Sequence, residues 1–147
     1  GRTPLGLYRE LVRRHKEGEI SFKNVAVYSL DEFYPIRSTE QQSRNYRIHD
    51  EFLKHIDIEP ENVHIPDGTI PAKDVSEYCA NYDKAIGKID LMIIGFGEQG
   101  QIGCNEPGSY AKTAPPMPDT AKSSSSVADR SIPDALATSS EMPCIML

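Results

Sequence analysis

The sequence predicts a three-layer α/β domain, in which a mostly parallel, Rossmann-like sheet carries helices on both faces. Two observations favour this fold class. Helical and strand-like segments alternate along the chain up to about residue 97, which is typical of parallel strands joined by crossover helices. The run IDLMIIGFG at residues 89–97 is apolar without alternation, as in a strand buried on both faces of a parallel sheet. Such folds bind ligands outside the carboxyl ends of their strands, so residues that follow strands are the first candidates for a site.

The first helix is predicted from the stretch TPLGLYRELVRRHKEG. Thr3 and Pro4 suit the N-cap and the first helical position, and Gly18 suits the end of the helix. The next segment, NVAVYSL, has the β-branched and apolar composition of a buried strand. It runs directly into the acidic pair Asp31 and Glu32, which therefore sit at a predicted carboxyl end.

Two more helices and two more strands complete the predicted alternation. Apolar spacing predicts a helix over residues 43–56 and another over residues 75–86, with the short strand NVHI between them. The strand at residues 89–97 follows the last of these helices. Gly1 and Arg2 resemble the end of a glycine-containing loop whose preceding strand is not part of this chain, so we expect the sheet to be incomplete.

The segment from residue 110 to residue 147 differs in composition from the predicted domain at residues 1–109. It is rich in Ser, Ala, Pro and Thr, and includes APPMP and SSSS runs with little periodicity. We predict a loop-rich or disordered tail, in which residues 132–147 could still form a short helix or strand ending in CIML.

Composition limits the classes of partner. The formal net charge of −6 and the pI near 5.2 disfavour nucleic acid and anionic membranes as main partners, because their phosphates would not be attracted. Apolar runs fall far short of the roughly 18 residues that a membrane span requires. The three cysteines form no CxxC pair, and the four histidines lack metal-ligand spacing. These features predict a cytoplasmic protein with no metal site.

The stretch GFGEQGQIGCNEPGS at residues 95–109 has three readings. Gly95, Gly97 and Gly100 match the dinucleotide pattern GxGxxG after a strand, but the following NEPG would interrupt the helix that this motif needs. Alternatively, the glycines only permit tight turns, with the acidic side chains in solvent. The third interpretation is a ligand site such as a sugar site. Glu106 and the Asp31–Glu32 pair would both lie at carboxyl ends of parallel strands, where this architecture predicts a ligand. Cys104 is a minor candidate for a nucleophile.

Four blocks in order resemble the glucosamine-6-phosphate deaminase/isomerase family, over residues 1 to about 109. They are TPLGLYRELVRRHKEG, then SLDEFY, then SRNYRIHDEFLKHIDI with ENVHIPDG, and finally DLMIIGFGEQGQIGCNEPGS. The resemblance implies the fold of the sugar-phosphate isomerases. It also implies conversion of glucosamine 6-phosphate and water into fructose 6-phosphate and ammonia, without a metal or cofactor, in a protein that commonly forms homo-oligomers.

The resemblance also implies roles for individual residues. Asp31 matches the carboxylate that moves a proton between C2 and C1 of the opened sugar, and Glu32 would support it. Gly1, Arg2 and Thr3 match the loop that holds the sugar phosphate at a helix N-terminus, where helix electrostatics also favour an anion.

The last block carries the ring-opening residues and departs from the family pattern. Glu106 matches the ring-opening carboxylate, with Gly100 and Asn105 beside it. Gln99 and Gln101 stand where the family usually has Asp and His, and an amide cannot exchange a proton near neutrality. The sequence after about Ser109 no longer resembles the family, which suggests a truncated or frame-shifted end. Two alternatives therefore stay open: a sugar-phosphate-binding or regulatory paralogue with impaired catalysis, and a hydrolase similar to the phosphogluconolactonases.

Overall fold

The structure is a computed structural model that describes residues 3–95, 100 and 144–147. The described residues form three helices and four strands. Helices and strands alternate along the chain up to the third strand, and the fourth strand is the last described element. The helices are α1 (Leu5–Lys16), α2 (Arg44–Glu51) and α3 (Val75–Ala85), and the strands are β1 (Ala26–Tyr28), β2 (Val63–His64), β3 (Leu91–Met92) and β4 (Cys144–Met146). Two short 3₁₀ turns, Leu53–His55 and Pro60–Asn62, connect α2 to β2.

All strand pairs in the described sheet are parallel, in the order β2-β1-β4-β3. Val27 of β1 is opposite Val63 on one side and Ile145 on the other. Ile145 is in turn opposite Leu91 of β3. Because the strands run the same way, their carboxyl ends lie at one edge of the sheet.

Helices cover both faces of the sheet, which confirms the predicted three-layer fold. Val27 and Ile145 belong to a core cluster with residues of α1 and α2, including Leu11 and Ile48. The alternate strand residues face the other way: Tyr28, Cys144 and Met146 cluster with Ile86 at the end of α3. Every residue of β1 and β4 is therefore buried, as expected for central strands of a parallel sheet.

The last residues of the chain form a central strand. β4 lies between β1 and β3 and makes backbone hydrogen bonds to both of them. Met146 is 0% exposed, so this strand contributes directly to the core. The alternative of a short strand within residues 132–147 is thus confirmed for Cys144–Met146, while the remainder of residues 110–143 lies outside the described residues.

Several element ends differ from the sequence prediction. Pro4, rather than Thr3, is the N-cap of α1, which begins at Leu5. The helix predicted over residues 43–56 ends as α2 at Glu51, because buried Phe52 has a φ of −140° and starts a 3₁₀ turn. Helix ends are set by such local packing, which apolar periodicity does not encode. No helix in the described part of the chain is long and apolar enough to cross a membrane.

Candidate active site

Asp31 lies just beyond the carboxyl end of β1. The strand ladder continues past Tyr28, because Leu30 N donates to the carbonyl of Leu147 at 2.9 Å. Oδ1 of Asp31 accepts a hydrogen bond from Nε of Arg44 at 3.1 Å. Oδ2 is buried and has no hydrogen-bond partner among the described residues. A buried polar atom left in this way costs on the order of 1–3 kcal/mol, and functional sites are where folded proteins accept that cost.

Glu32 has a very different environment. Its carboxylate accepts four hydrogen bonds, from Phe33 N, Ser43 Oγ, Arg44 N and Asn45 N, at distances between 2.7 and 3.0 Å. Burial raises the pKa of Glu32 and is the largest single effect, but these hydrogen bonds together outweigh it, so the net pKa is lowered. Glu32 is therefore a fixed anion at the N-terminus of α2.

Ser43 completes this cap. It is fully buried, and its Oγ accepts a hydrogen bond from Tyr46 N at 3.2 Å while donating to Glu32. Ser is one of the preferred N-cap residues for this reason, because its oxygen satisfies a helix N–H that has no intrahelical partner. Glu32 and Ser43 together fix where α2 begins relative to the end of β1.

Two exposed aromatic residues follow Glu32 in the loop after β1. Phe33 is 43% exposed and Tyr34 is 50% exposed. The guanidinium carbon of Arg44 lies 4.7 Å from the centroid of the Phe33 ring, within the range of a cation–π contact. The loop is also tied to the one after β2, because Ile36 N donates to the carbonyl of Gly68 at 2.9 Å.

Thr3 lies beside the carboxyl end of β3. A Cβ atom added to Gly95 would meet Oγ1 of Thr3 at 3.4 Å, so the residue that precedes α1 and the start of the glycine-rich stretch are close neighbours. In the described residues, the α1 N-cap has no side-chain hydrogen bond and the first turn has no acidic residue. The N–H groups at this end of α1 therefore suit an anion.

One strand separates Asp31, which follows β1, from Gly95, which follows β3. β4 lies between β1 and β3, and parallel strands are about 4.8 Å apart, which places the ends of β1 and β3 roughly 10 Å from each other. Asp31 and Gly95 thus flank the end of β4, at the edge where the fold predicts a ligand.

The structure describes four of the predicted site residues. Asp31 and Glu32 are adjacent at the end of β1, and Thr3 lies near Gly95. Gly100 is exposed with a φ of +81°, a conformation that favours glycine. The other predicted site residues lie outside the described residues: Gly1, Arg2, Gln99, Gln101, Asn105 and Glu106. Convergence of Asp31 and Glu106 on one pocket therefore stays a prediction.

Arg44 is a site residue that the sequence does not predict. The predicted helix over residues 43–56 includes Arg44, and in the structure Ser43 is the N-cap and Arg44 the first residue of α2. The contact of Arg44 with Asp31 depends on how α2 packs against the end of β1, for which the sequence has no local signal.

In the described part of the chain, no group of three or more His, Cys, Asp or Glu side chains is arranged to hold a metal ion.

Comparison with known proteins adds a family match. The model of the family described as glucosamine-6-phosphate isomerases/6-phosphogluconolactonase matches residues 1–114. A glucosamine-6-phosphate deaminase of Treponema denticola is 48% identical over 112 residues, which cover 74% of this chain and 41% of that protein. The chain thus spans less than half the length of this curated relative.

Two solved structures are similar as well. One is a monomeric glucosamine-6-phosphate deaminase, with a TM-score of 0.69 and 36% identity, over 76% of this chain and 47% of the other. The second is a 6-phosphogluconolactonase of Thermotoga maritima, with a TM-score of 0.58 and 26% identity, over 71% and 46% of the two chains. Both sequence identity and structural overlap are higher for the deaminase.

Proposed function

This chain belongs to the family of glucosamine-6-phosphate isomerases and 6-phosphogluconolactonases, and we propose that it acts as the former: it converts glucosamine 6-phosphate and water into fructose 6-phosphate and ammonia. The observation that carries the proposal is the environment of Asp31. Its carboxylate follows β1, one oxygen is held by Arg44, and the other is buried without a partner among the described residues. The 48% identity to a deaminase supports the choice of reaction.

Asp31 would act as the base on the open-chain sugar. It would take the proton from C2 to form an enolamine and return a proton to C1, after which water replaces the amino group and ammonia leaves. Proton transfer of this kind needs a carboxylate whose orientation is fixed before the substrate arrives. The contact with Arg44 supports this role because it restrains the carboxylate.

We assign substrate binding to the residues around the start of α1. Gly1, Arg2 and Thr3 would hold the sugar phosphate, and the uncapped N-terminus of α1 supports this placement. Glu106 would assist ring opening. Gln99 and Gln101 would orient the sugar through hydrogen bonds but could not exchange protons, so we expect ring opening to be slower than with Asp and His.

Ammonia release from glucosamine 6-phosphate tests the proposal. The wild-type protein should release ammonia, and Asp31→Asn should slow release by about 10²–10⁴-fold, because Asn keeps the shape but cannot accept the proton. Circular dichroism of both proteins checks that the variant is folded. No ammonia above the Asp31→Asn level would refute a deaminase.

A second candidate follows from Gln99 and Gln101: a paralogue that binds a sugar phosphate and has lost catalysis. It predicts that calorimetry detects binding of glucosamine 6-phosphate or fructose 6-phosphate although no ammonia forms. Similarity to the lactonase structure supports a third candidate, a 6-phosphogluconolactonase-like hydrolase, which acid release from 6-phosphogluconolactone would reveal.

Oligomeric state belongs to the proposal as well. We propose a homo-oligomer, as the family resemblance implies, although one of the similar solved structures is described as monomeric. Light scattering of the purified protein distinguishes the two, because a monomer of this chain has a mass of 16.4 kDa. We also propose a cytoplasmic location, as the cysteine pattern and the short apolar runs predict.

A further inference from the structure

Arg44 contacts both carboxylates of the Asp31–Glu32 pair. Its backbone N–H donates to Oε1 of Glu32 at 2.8 Å, and its side-chain Nε donates to Oδ1 of Asp31 at 3.1 Å. One residue thus links the cap of α2 to the carboxylate that follows β1. The Asp31–Arg44 pair is also largely shielded from solvent, since the two side chains are 26% and 21% exposed.

Both the side chain and the backbone of Arg44 have contacts that restrain the residue. The guanidinium carbon lies over the Phe33 ring, at 4.7 Å from the ring centroid. The backbone of Arg44 is held by the Glu32 cap at the first position of α2. A guanidinium next to an aromatic ring, on a residue whose backbone is held, has reduced freedom, so its hydrogen bond restrains the direction of the carboxylate that accepts it.

We infer that Arg44 is a positioning residue for proton transfer: by holding Oδ1 of Asp31, it leaves Oδ2 as the oxygen that exchanges the proton. This inference rests on the proposed function. It explains why one oxygen of Asp31 has a strong donor while the other, although buried, has no partner among the described residues. An ion pair that only stabilised the start of α2 would not need this asymmetry.

A stabilising role and a positioning role for Arg44 differ in the property that its substitution changes. Loss of a stabilising ion pair lowers the melting temperature and leaves turnover intact at temperatures where the protein is folded. Loss of a positioning contact lowers kcat with little change in KM, because substrate binding does not depend on the direction of Asp31. A displaced catalytic group can reduce the rate by about 10²-fold.

The test compares ammonia release by the wild type, Arg44→Met, Arg44→Lys and the control Arg37→Met. Arg37 is an exposed arginine in the loop before α2, so the control removes the same charge nearby. We expect Arg44→Met to lower kcat by about 10²-fold with KM within about threefold, and Arg44→Lys, which keeps a single donor, to recover part of the rate. The control should retain wild-type kcat. If Arg44→Met does not fold, the intermediate kcat of Arg44→Lys is the deciding measurement.

A double variant tests whether Arg44 affects kcat through Asp31. If Arg44 acts through Asp31, then Arg44→Met combined with Asp31→Asn should be no slower than Asp31→Asn alone. Multiplied losses would overturn the inference, as would a wild-type kcat in a folded Arg44→Met protein or, where that variant does not fold, in Arg44→Lys. A wild-type protein that releases no ammonia would instead refute the proposed function, and the inference with it.

Discussion

Asp31 and Glu32 are adjacent in sequence, but their carboxylates lie in different environments. Glu32 accepts hydrogen bonds from four donors, and its pKa is lowered because these donors outweigh the effect of burial. Asp31 has the Arg44 side chain on one oxygen and no partner among the described residues on the other. The carboxylate of Glu32 is thus fully used by the cap of α2, while Asp31 keeps one oxygen without a partner among the described residues, as the proposed proton transfer requires.

Replacement of Glu32 tests its structural role. Glu32→Gln should lower the free energy of unfolding at pH 7 by about 1–3 kcal/mol, because an amide presents only one acceptor oxygen to the four donors. The lowered pKa also sets the pH dependence. The contribution of Glu32 is complete above the unfolded-state value of about 4.3 and is lost as the pH falls through the lower folded-state value.

The stability difference between wild type and Glu32→Gln should therefore shrink as the pH falls below about 4. Urea unfolding at pH 7 and at acid pH measures it. Glu51→Gln removes an exposed carboxylate from α2, the helix that Glu32 caps, and should cause a much smaller loss of stability at pH 7. A difference between wild type and Glu32→Gln that is equal at both pH values would contradict the role of an ionised cap.

At the scale of elements, two loops at the carboxyl edge are packed backbone to backbone. The loop after β1 and the loop after β2 meet where Ile36 N donates to the carbonyl of Gly68. A Cβ on Gly68 would lie 2.6 Å from the carbonyl oxygen of Ile36 and 2.7 Å from that of Phe33. Only glycine allows this approach, which connects β2 to the segment that carries Asp31 and Phe33.

Gly68→Ala should therefore destabilise the protein by about 1–3 kcal/mol, the usual range for overpacking, because both contacts are to backbone atoms that cannot rotate away. Chemical denaturation measures the loss. Gly87→Ala is the matched control, since a Cβ at Gly87 has nothing within 4 Å, and it should be neutral within about 0.5 kcal/mol. Equal stability of the two variants would mean that the loops separate at little cost.

At the scale of the whole molecule, the sequence predicts the layers better than it predicts the order of strands. The three-layer fold follows from the alternation of helical and strand-like segments, and the structure confirms it. The place of β4 in the middle of the sheet could not be predicted, because Cys144–Met146 follows a Ser- and Pro-rich segment and is too short to specify its partners. The pairing of β4 depends on β1 and β3, which lie on either side of it.

The candidate site also includes one residue that the sequence predicts and one that it does not. Asp31 could be identified from the sequence because it follows a strong strand signal. Arg44 could not, because its contact with Asp31 arises only when α2 packs beside β1. Local patterns report which element a residue belongs to, whereas side-chain contacts between elements depend on packing.

Hydrogen exchange at C1 of fructose 6-phosphate tests the central claim, that Asp31 moves the proton, most directly. In D₂O with ammonium present, proton NMR should show the wild-type protein replacing one C1 hydrogen by deuterium, and Asp31→Asn should be slower by at least about 10²-fold. This reaction starts from the ketose, so it does not depend on pyranose opening, the step that Gln99 and Gln101 are expected to slow. Exchange at the wild-type rate by a folded Asp31→Asn protein would contradict the account.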